Sequence, residues 1–111
     1  MREYSVGATP TAGTTSTLYT VPTGYRALWT ISYIHNTSGS TKTFTLSWFD
    51  ASASVTHDIL SQYTFASKDY LRLDGEGFVV LEEGDQVRVT PDTGSAFTVI
   101  LTFVLKGNQR E

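Results

Sequence analysis

His35 and His57 are the side chains of this sequence best placed by type to move protons near neutral pH. His57 is followed by Asp58, so the two residue types of half a catalytic triad stand together. Neighbours on a strand point to opposite faces, however, and such a pair cannot readily share a proton. The sequence therefore predicts an ordinary surface histidine at 57. His35 precedes Asn36 at the end of an alternating run and reads as a hydrogen-bonding residue at a turn. The chain has no cysteine, so zinc would need carboxylates beside these histidines at a spacing that is missing. Glu82, Glu83 and Asp85 flank Gly84 and have the oxygens that calcium prefers, but not the spacing of an EF-hand loop. Asp74 and Glu76 around Gly75 read the same way, as carboxylates facing water at a turn. No cleft signal accompanies either group to raise one carboxyl above its partner, as glycoside hydrolysis requires. Gly75 and Gly77 are followed by neither a Lys-Ser/Thr pair nor a helix, so they form no phosphate loop. The expectation is a chain with no enzymatic activity, no cofactor and no metal site.

Aromatic side chains remain. Trp29 and Trp48 fall on the apolar phase of long alternating runs and are expected in the core; an exposed platform stacking on sugar rings is the rival reading. Tyr19 and Phe49 fall on the opposite phase, where an aromatic ring suits a lateral contact.

The elements that hold these residues are strands. Tyr25, Ala27, Trp29, Ile31 and Tyr33 alternate with Arg26, Thr30 and Ser32, and Phe44, Leu46 and Trp48 alternate with Thr43, Thr45 and Ser47. Val21-Pro22-Thr23-Gly24 and Asn36-Thr37-Ser38-Gly39-Ser40 break the pattern with turn chemistry. Strands are predicted at residues 17–21, 25–36, 42–50, 55–60, 70–73, 78–81, 86–90 and 96–106. Residues 61–69 fit a loop with a helical turn as well as they fit a strand. Asp74-Gly75-Glu76-Gly77 reads as a break between two strands, and Pro91-Asp92-Thr93-Gly94 as a type I turn. The last strand sets Phe97, Val99, Leu101, Phe103 and Leu105 on one face and Thr98, Ile100, Thr102 and Val104 on the other. A second face that is partly apolar predicts a central strand, or one covered by a partner. About eight short strands without a helical pattern imply an all-β fold, an antiparallel β-sandwich or jelly roll.

A chain of 111 residues is one domain long and can bury a core without disulfides. Residues 1–16, rich in Thr, Gly and Ala, are expected to be an extended or flexible arm. Residues 17–106 form the sandwich and 107–111 a tail. Net charge is −3 and the cations are scattered, which excludes the clustered positive surface that nucleic acid requires. No apolar stretch of signal or membrane length is present, so no membrane partner is expected. Only 17% of residues are charged. A Thr-covered, weakly charged exterior lacks the usual defence against association.

Three motifs in order carry a resemblance: Tyr19, Val21, Pro22 and Gly24 as Y-x-V-P-x-G; Asn36, Ser38 and Gly39 as an Asn-initiated turn; and Leu81, Gly84 and Asp85 as L-x-x-G-D. With them the chain, from about residue 18 to 105, resembles the small β-sandwich virion proteins of tailed bacteriophages. Its Tyr-Arg-Ala-Leu-Trp strand is more aromatic than the aliphatic run usual there. The resemblance implies a capsid decoration or cement protein, made in the host cytoplasm and located on the capsid surface of the virion. Its partners would be the major capsid protein and neighbouring copies of itself, as in a homotrimer. The alternative it implies is a tail or fibre module that joins tail components or holds host glycans. Tyr4, Val6, Tyr19, Phe49, Tyr63 and Phe65 are the expected partner contacts, with the arm ordering on docking.

Overall fold

Alternation of Val, Ile, Leu and Phe with Thr and Ser gives each segment one face to hide, and two sheets packed face to face hide it. The computed structural model describes residues 2–107, with side chains for all of these except residues 2–4 and 74–78. Its strands are β1 (Arg2–Ala8), β2 (Ser16–Thr20), β3 (Tyr25–Asn36), β4 (Lys42–Asp50), β5 (Val55–Phe65), β6 (Tyr70–Leu81), β7 (Gln86–Pro91) and β8 (Phe97–Gly107). They form two four-stranded sheets, ordered β1-β8-β3-β6 and β2-β7-β4-β5. Every neighbouring pair is antiparallel. Eight strands that keep crossing between two sheets in this order make a jelly roll. The expected fold class is the observed one, and the last strand, β8, is central as its two apolar faces predict.

The core has two aromatic centres. Phe44, Phe65 and Phe97 meet at one end, with ring centroids 4.7 Å apart for Phe44–Phe97 and 5.4 Å for Phe65–Phe97. Trp29 lies 6.1 Å from Phe103, which stacks on Tyr19 at 4.4 Å. Leu46, Leu81, Val87, Val89, Val99 and Leu101 fill the space between the sheets, each at most 1% exposed. Aromatic pairs in such offset or edge-on arrangements add to the stabilisation their buried area already supplies.

Four local features depart from the sequence-based expectation. Along β3 the alternation changes phase at Thr30. Trp29 pairs with Phe103 but Ile31 pairs with Thr102, so Thr30 is an extra residue in the ladder. Before this bulge Ala27 and Trp29 face the core; after it Ser32, Ile34 and Asn36 do. Ile31 and Tyr33, expected on the face of Trp29, therefore point outward, because one added residue swaps every later side chain to the other side. Residues 61–65, open between loop and strand in the sequence, continue β5 past its predicted end at residue 60, with Gln62 at a φ of 49° absorbing an irregularity in the ladder. The break expected at residues 74–77 is also a bulge: β6 is continuous, but its register on β3 jumps from Val79 opposite Trp29 to Asp74 opposite Ile31.

The fourth departure concerns residues 1–16. Arg2–Ala8 is strand β1, in register with β8 from Arg2 opposite Leu105 to Ala8 opposite Val99. What composition alone reads as an arm is the edge of a sheet, because an existing strand supplies the ladder partners and apolar neighbours the segment lacks by itself. Deleting it would bare the long edge of β8.

Turn chemistry closes the ends. Residues 92–95 form the turn after β7, where the Ser95 N–H donates to the Asp92 carbonyl. Gly94 is its third residue at a φ of 65°, which a type I turn does not have. The Asp92 side chain accepts from the Thr43 N–H at 3.1 Å and the Thr93 N–H at 2.8 Å. These backbone donors, Thr43 foremost, hold its carboxyl below the ordinary value of 3.8. A carboxyl lowered on folding stabilises the native state above its unfolded value, and the gain is lost as pH falls through the lowered folded value. Asp92→Asn should therefore be less stable than the parent at pH 7, with a gap that narrows as pH is lowered to 2. Urea denaturation at the two pH values checks this; an equal gap at both would contradict it.

Candidate interaction surface

The three sequence motifs form hydrogen-bonded clamps at opposite ends of the sandwich. At one end the β2–β3 turn and the β6–β7 turn bind each other. The Val21 N–H donates to the Asp85 carbonyl at 3.0 Å, and the Gly84 N–H donates to the Val21 carbonyl at 3.0 Å. The Gly24 N–H donates to Glu83 Oε1 at 2.7 Å. Gly24 and Gly84 have φ values of 86° and 85°, a conformation that side chains with a Cβ rarely adopt. Asp85 is fully buried, and its carboxyl oxygens accept from Trp48 Nε1 at 3.1 Å, the Ala51 N–H at 2.9 Å and the Glu82 N–H at 3.0 Å. The oxygens of Glu83 and Asp85 thus meet protein donors, and they do not converge on a common point. Among the described residues no group of three His, Asp or Glu side chains is arranged to hold a metal ion.

At the other end Asn36, fully buried, donates from its amide to the carbonyls of Ser40, Phe65 and Ala66 at 3.0–3.2 Å. Its Oδ1 accepts from the Ser38 N–H at 2.9 Å. Ser38 Oγ in turn accepts from the Ala96 N–H at 2.7 Å, tying the β3–β4 turn to the start of β8. Each clamp satisfies backbone groups that turns would otherwise leave unpaired in a dry interior.

The histidines sit apart from any acid–base partner set. His57 is exposed on edge strand β5, its ring 5.2 Å from Trp48, while Asp58 accepts from Ser47 Oγ at 2.8 Å. The adjacent pair separates as strand neighbours do. His35 lies on the outer face of β3, not at a turn-stabilising contact; Asn36 beside it holds the turn.

Placement of the expected contact residues is mixed. Phe65 must be corrected: it is 1% exposed and belongs to the aromatic core. Tyr19 is half-buried against Phe103, and Val6 packs partly buried on the core opposite Leu101. Phe49 lies on the outer face of its sheet with the Arg88 guanidinium 4.0 Å above its ring. Tyr63 is 44% exposed. The side chain of Tyr4 lies outside the described residues. Neither tryptophan forms an open platform: Trp29 is fully buried with Nε1 donating to Ser32 Oγ at 2.7 Å, and Trp48 is half-buried with its indole N–H held by Asp85.

A surface that the sequence reading did not assemble is the outer face of the β1-β8-β3-β6 sheet. Register sets its rows: Tyr70, His35 and Thr98; Arg72, Tyr33 and Ile100; Asp74, Ile31 and Thr102; Val80, Leu28 and Val104. Of the seven large hydrophobic residues exposed among the described side chains, this face holds four: Tyr33 (39%), Tyr70 (65%), Val80 (45%) and Ile100 (40%). Tyr33, His35, Tyr70, Thr98 and Ile100 line a shallow apolar depression on it. Gly7 pairs with Ile100 and leaves its flank open, since a Cβ there would meet nothing within 4 Å. The signal was present in the apolar second face of β8; the Thr30 bulge, which turns Tyr33 outward, was not legible.

No protein-family model matches the chain, and no curated protein sequence does. Solved structures at a TM-score above 0.5 share its fold. A chain of the disulfide-linked pili that form Bacillus endospore appendages matches 97% of this chain and 87% of its own length, with a TM-score of 0.59 and 10% identity. A chain of the T13 IBDV viral particle matches 93% of this chain with a TM-score of 0.54 and 8% identity, and this chain spans 31% of it. A chain of the cyanophage Pam1 capsid is 21% identical over 91% of this chain and 80% of its own, at a TM-score of 0.45.

Proposed function

We propose that this chain is a non-enzymatic structural protein of a tailed-phage virion, a decoration or cement subunit that binds the assembled capsid and stabilises it. The observation that carries the reading is a jelly roll whose one outer face exposes Tyr33, Tyr70, Val80 and Ile100. A fold shared with a chain of a viral particle supports it, as do the three turn motifs. Asn36, Glu83 and Asp85 are committed to the clamps, which suits a protein that works by adhering.

Binding the assembled state in preference to free capsid subunits stabilises the shell by mass action. Many copies on one particle turn modest affinity per site into large avidity. With β1 built into the sheet, the contacts belong to sheet faces and edges and not to an arm that orders on docking. The partners are the major capsid protein and other copies of this chain, at the capsid surface.

Density-gradient sedimentation of virions released by cells carrying the gene tests this. The chain should travel with intact particles, and particles lacking it should lose their contents at lower temperature. A chain found wholly in the unsedimented fraction would refute the assignment.

A further inference from the structure

We infer that docking through the outer face of the β1-β8-β3-β6 sheet is controlled by pH at His35: the face is covered while the ring is neutral and released when the ring takes a proton. The inference rests on the capsid role proposed above and adds to it the regulation of that contact.

His35 is half-buried on β3, between Ile34 and Asn36, which face the core. With Tyr33, Tyr70, Thr98 and Ile100 it lines the depression on this face. Of these side-chain types only histidine ordinarily changes charge between pH 5 and 8. Its neighbours give the charged ring no support. On β8 Thr98 lies opposite, and on β6 Tyr70. Arg72 stands one row further along β6 with its guanidinium 5.9 Å over the Tyr33 ring, a like charge for a protonated imidazole. At the same end Lys68 Nζ donates to the Thr37 carbonyl at 2.9 Å, and Asp69 Oδ1 accepts from the Tyr70 N–H at 2.9 Å. By register Asp74 stands opposite Ile31 and Glu3 opposite Val104. Those positions are about 13 Å and about 20 Å along the strands from the row of His35. Both lie beyond the reach of about 8 Å that physiological salt leaves to exposed charges.

Water stabilises the charge of an exposed imidazolium, and an apolar partner laid over the depression removes that water. Among the described side chains no carboxylate lines the depression to replace it. A neutral ring instead extends the apolar surface of Tyr33, Tyr70 and Ile100. The complex therefore takes the neutral form, and a proton gained by the free protein competes with docking. The sign follows by linkage: the contact is present above the range in which an imidazole titrates in water and is lost as pH falls through it. The capsid segment that fills the depression is accordingly apolar and brings no carboxylate to the ring. A carboxylate there would reverse the sign.

Titrating the full chain onto capsids that lack it, and measuring what sediments with them at pH 7.5 and at pH 5.5, reads the control directly. Affinity of the parent should fall about tenfold between the two, since an imidazole in water passes from mostly neutral to mostly charged over that span. His35→Gln and His35→Phe, neither of which can take a proton, should each bind with equal affinity at the two pH values. His57→Gln, altered on edge strand β5 of the other sheet, should lose affinity as the parent does. Circular dichroism at both pH values should show one fold for all four proteins, which separates release from acid unfolding. A parent whose affinity is flat or rises toward pH 5.5 overturns the inference and leaves the capsid role standing. So does a fall that persists in His35→Gln or His35→Phe. A parent that sediments with capsids at neither pH removes the capsid role and the inference together.

Discussion

Asp85→Ala should lower the melting temperature by about 10–20 °C, the counterpart of about 3–5 kcal/mol in a domain of this size. The substitution removes no apolar area to speak of. It strips the acceptor from three N–H groups, on Trp48, Ala51 and Glu82, at a site with no exposure. A buried donor left without a partner costs about 1–3 kcal/mol. Asp85→Asn should recover part of the loss, because its one remaining oxygen still serves the Ala51 or the Glu82 and Trp48 donors. Thermal melts followed by near-ultraviolet circular dichroism check the order, with Trp48 as a local reporter. Equal melting temperatures for the parent and Asp85→Ala would show that the clamp contributes nothing.

Trp29→Ala should be comparably severe, at about 3–5 kcal/mol. Trp29 is fully buried beside Phe103, and its Nε1 donates to Ser32 Oγ, which is itself buried. Truncation would leave a cavity between the sheets and an unpaired hydroxyl together. Since domains are stable by only about 5–15 kcal/mol, either variant would consume a large share of the total. Urea unfolding of Trp29→Ala and Trp29→Phe checks the account: the phenylalanine variant should fall between alanine and the parent. Were Trp29→Ala to unfold at the parent's urea concentration, the core assignment would be contradicted.

These two residues also mark what could be read before any coordinates. Alternation placed Trp29 in the core correctly because burial of a large ring is a local, periodic signal. Asp85 was legible only as part of a turn. Its role depends on Trp48 and Ala51, which are distant in sequence and brought near by the crossing of β4 beside β7. Phe65 was misplaced for a related reason. Residues 61–69 read equally as loop or strand, and the irregularity at Gln62, beyond which Phe65 meets Phe44 and Phe97, has no local signal. Thr30 shifts the phase of β3, and its consequence is functional, since it turns Tyr33 outward into the apolar face. Period-two patterns predict faces only as far as the next bulge. Strand β1 escaped notice because its stability is borrowed: Val6 gains an apolar neighbour in Leu101, while a strand of sequence REYSVGA has little aliphatic surface of its own. The turn motifs, by contrast, were fully visible, because Gly24, Gly84 and Asn36 meet local backbone requirements.

The proposed role is that this jelly roll adheres to a capsid. Cryo-electron microscopy of purified virions carrying the chain tests it most directly. The account predicts symmetry-repeated density on the outer capsid surface that two four-stranded sheets fit, ordered β1-β8-β3-β6 and β2-β7-β4-β5. A capsid surface bare of such density, with the chain absent from the particles, would contradict it.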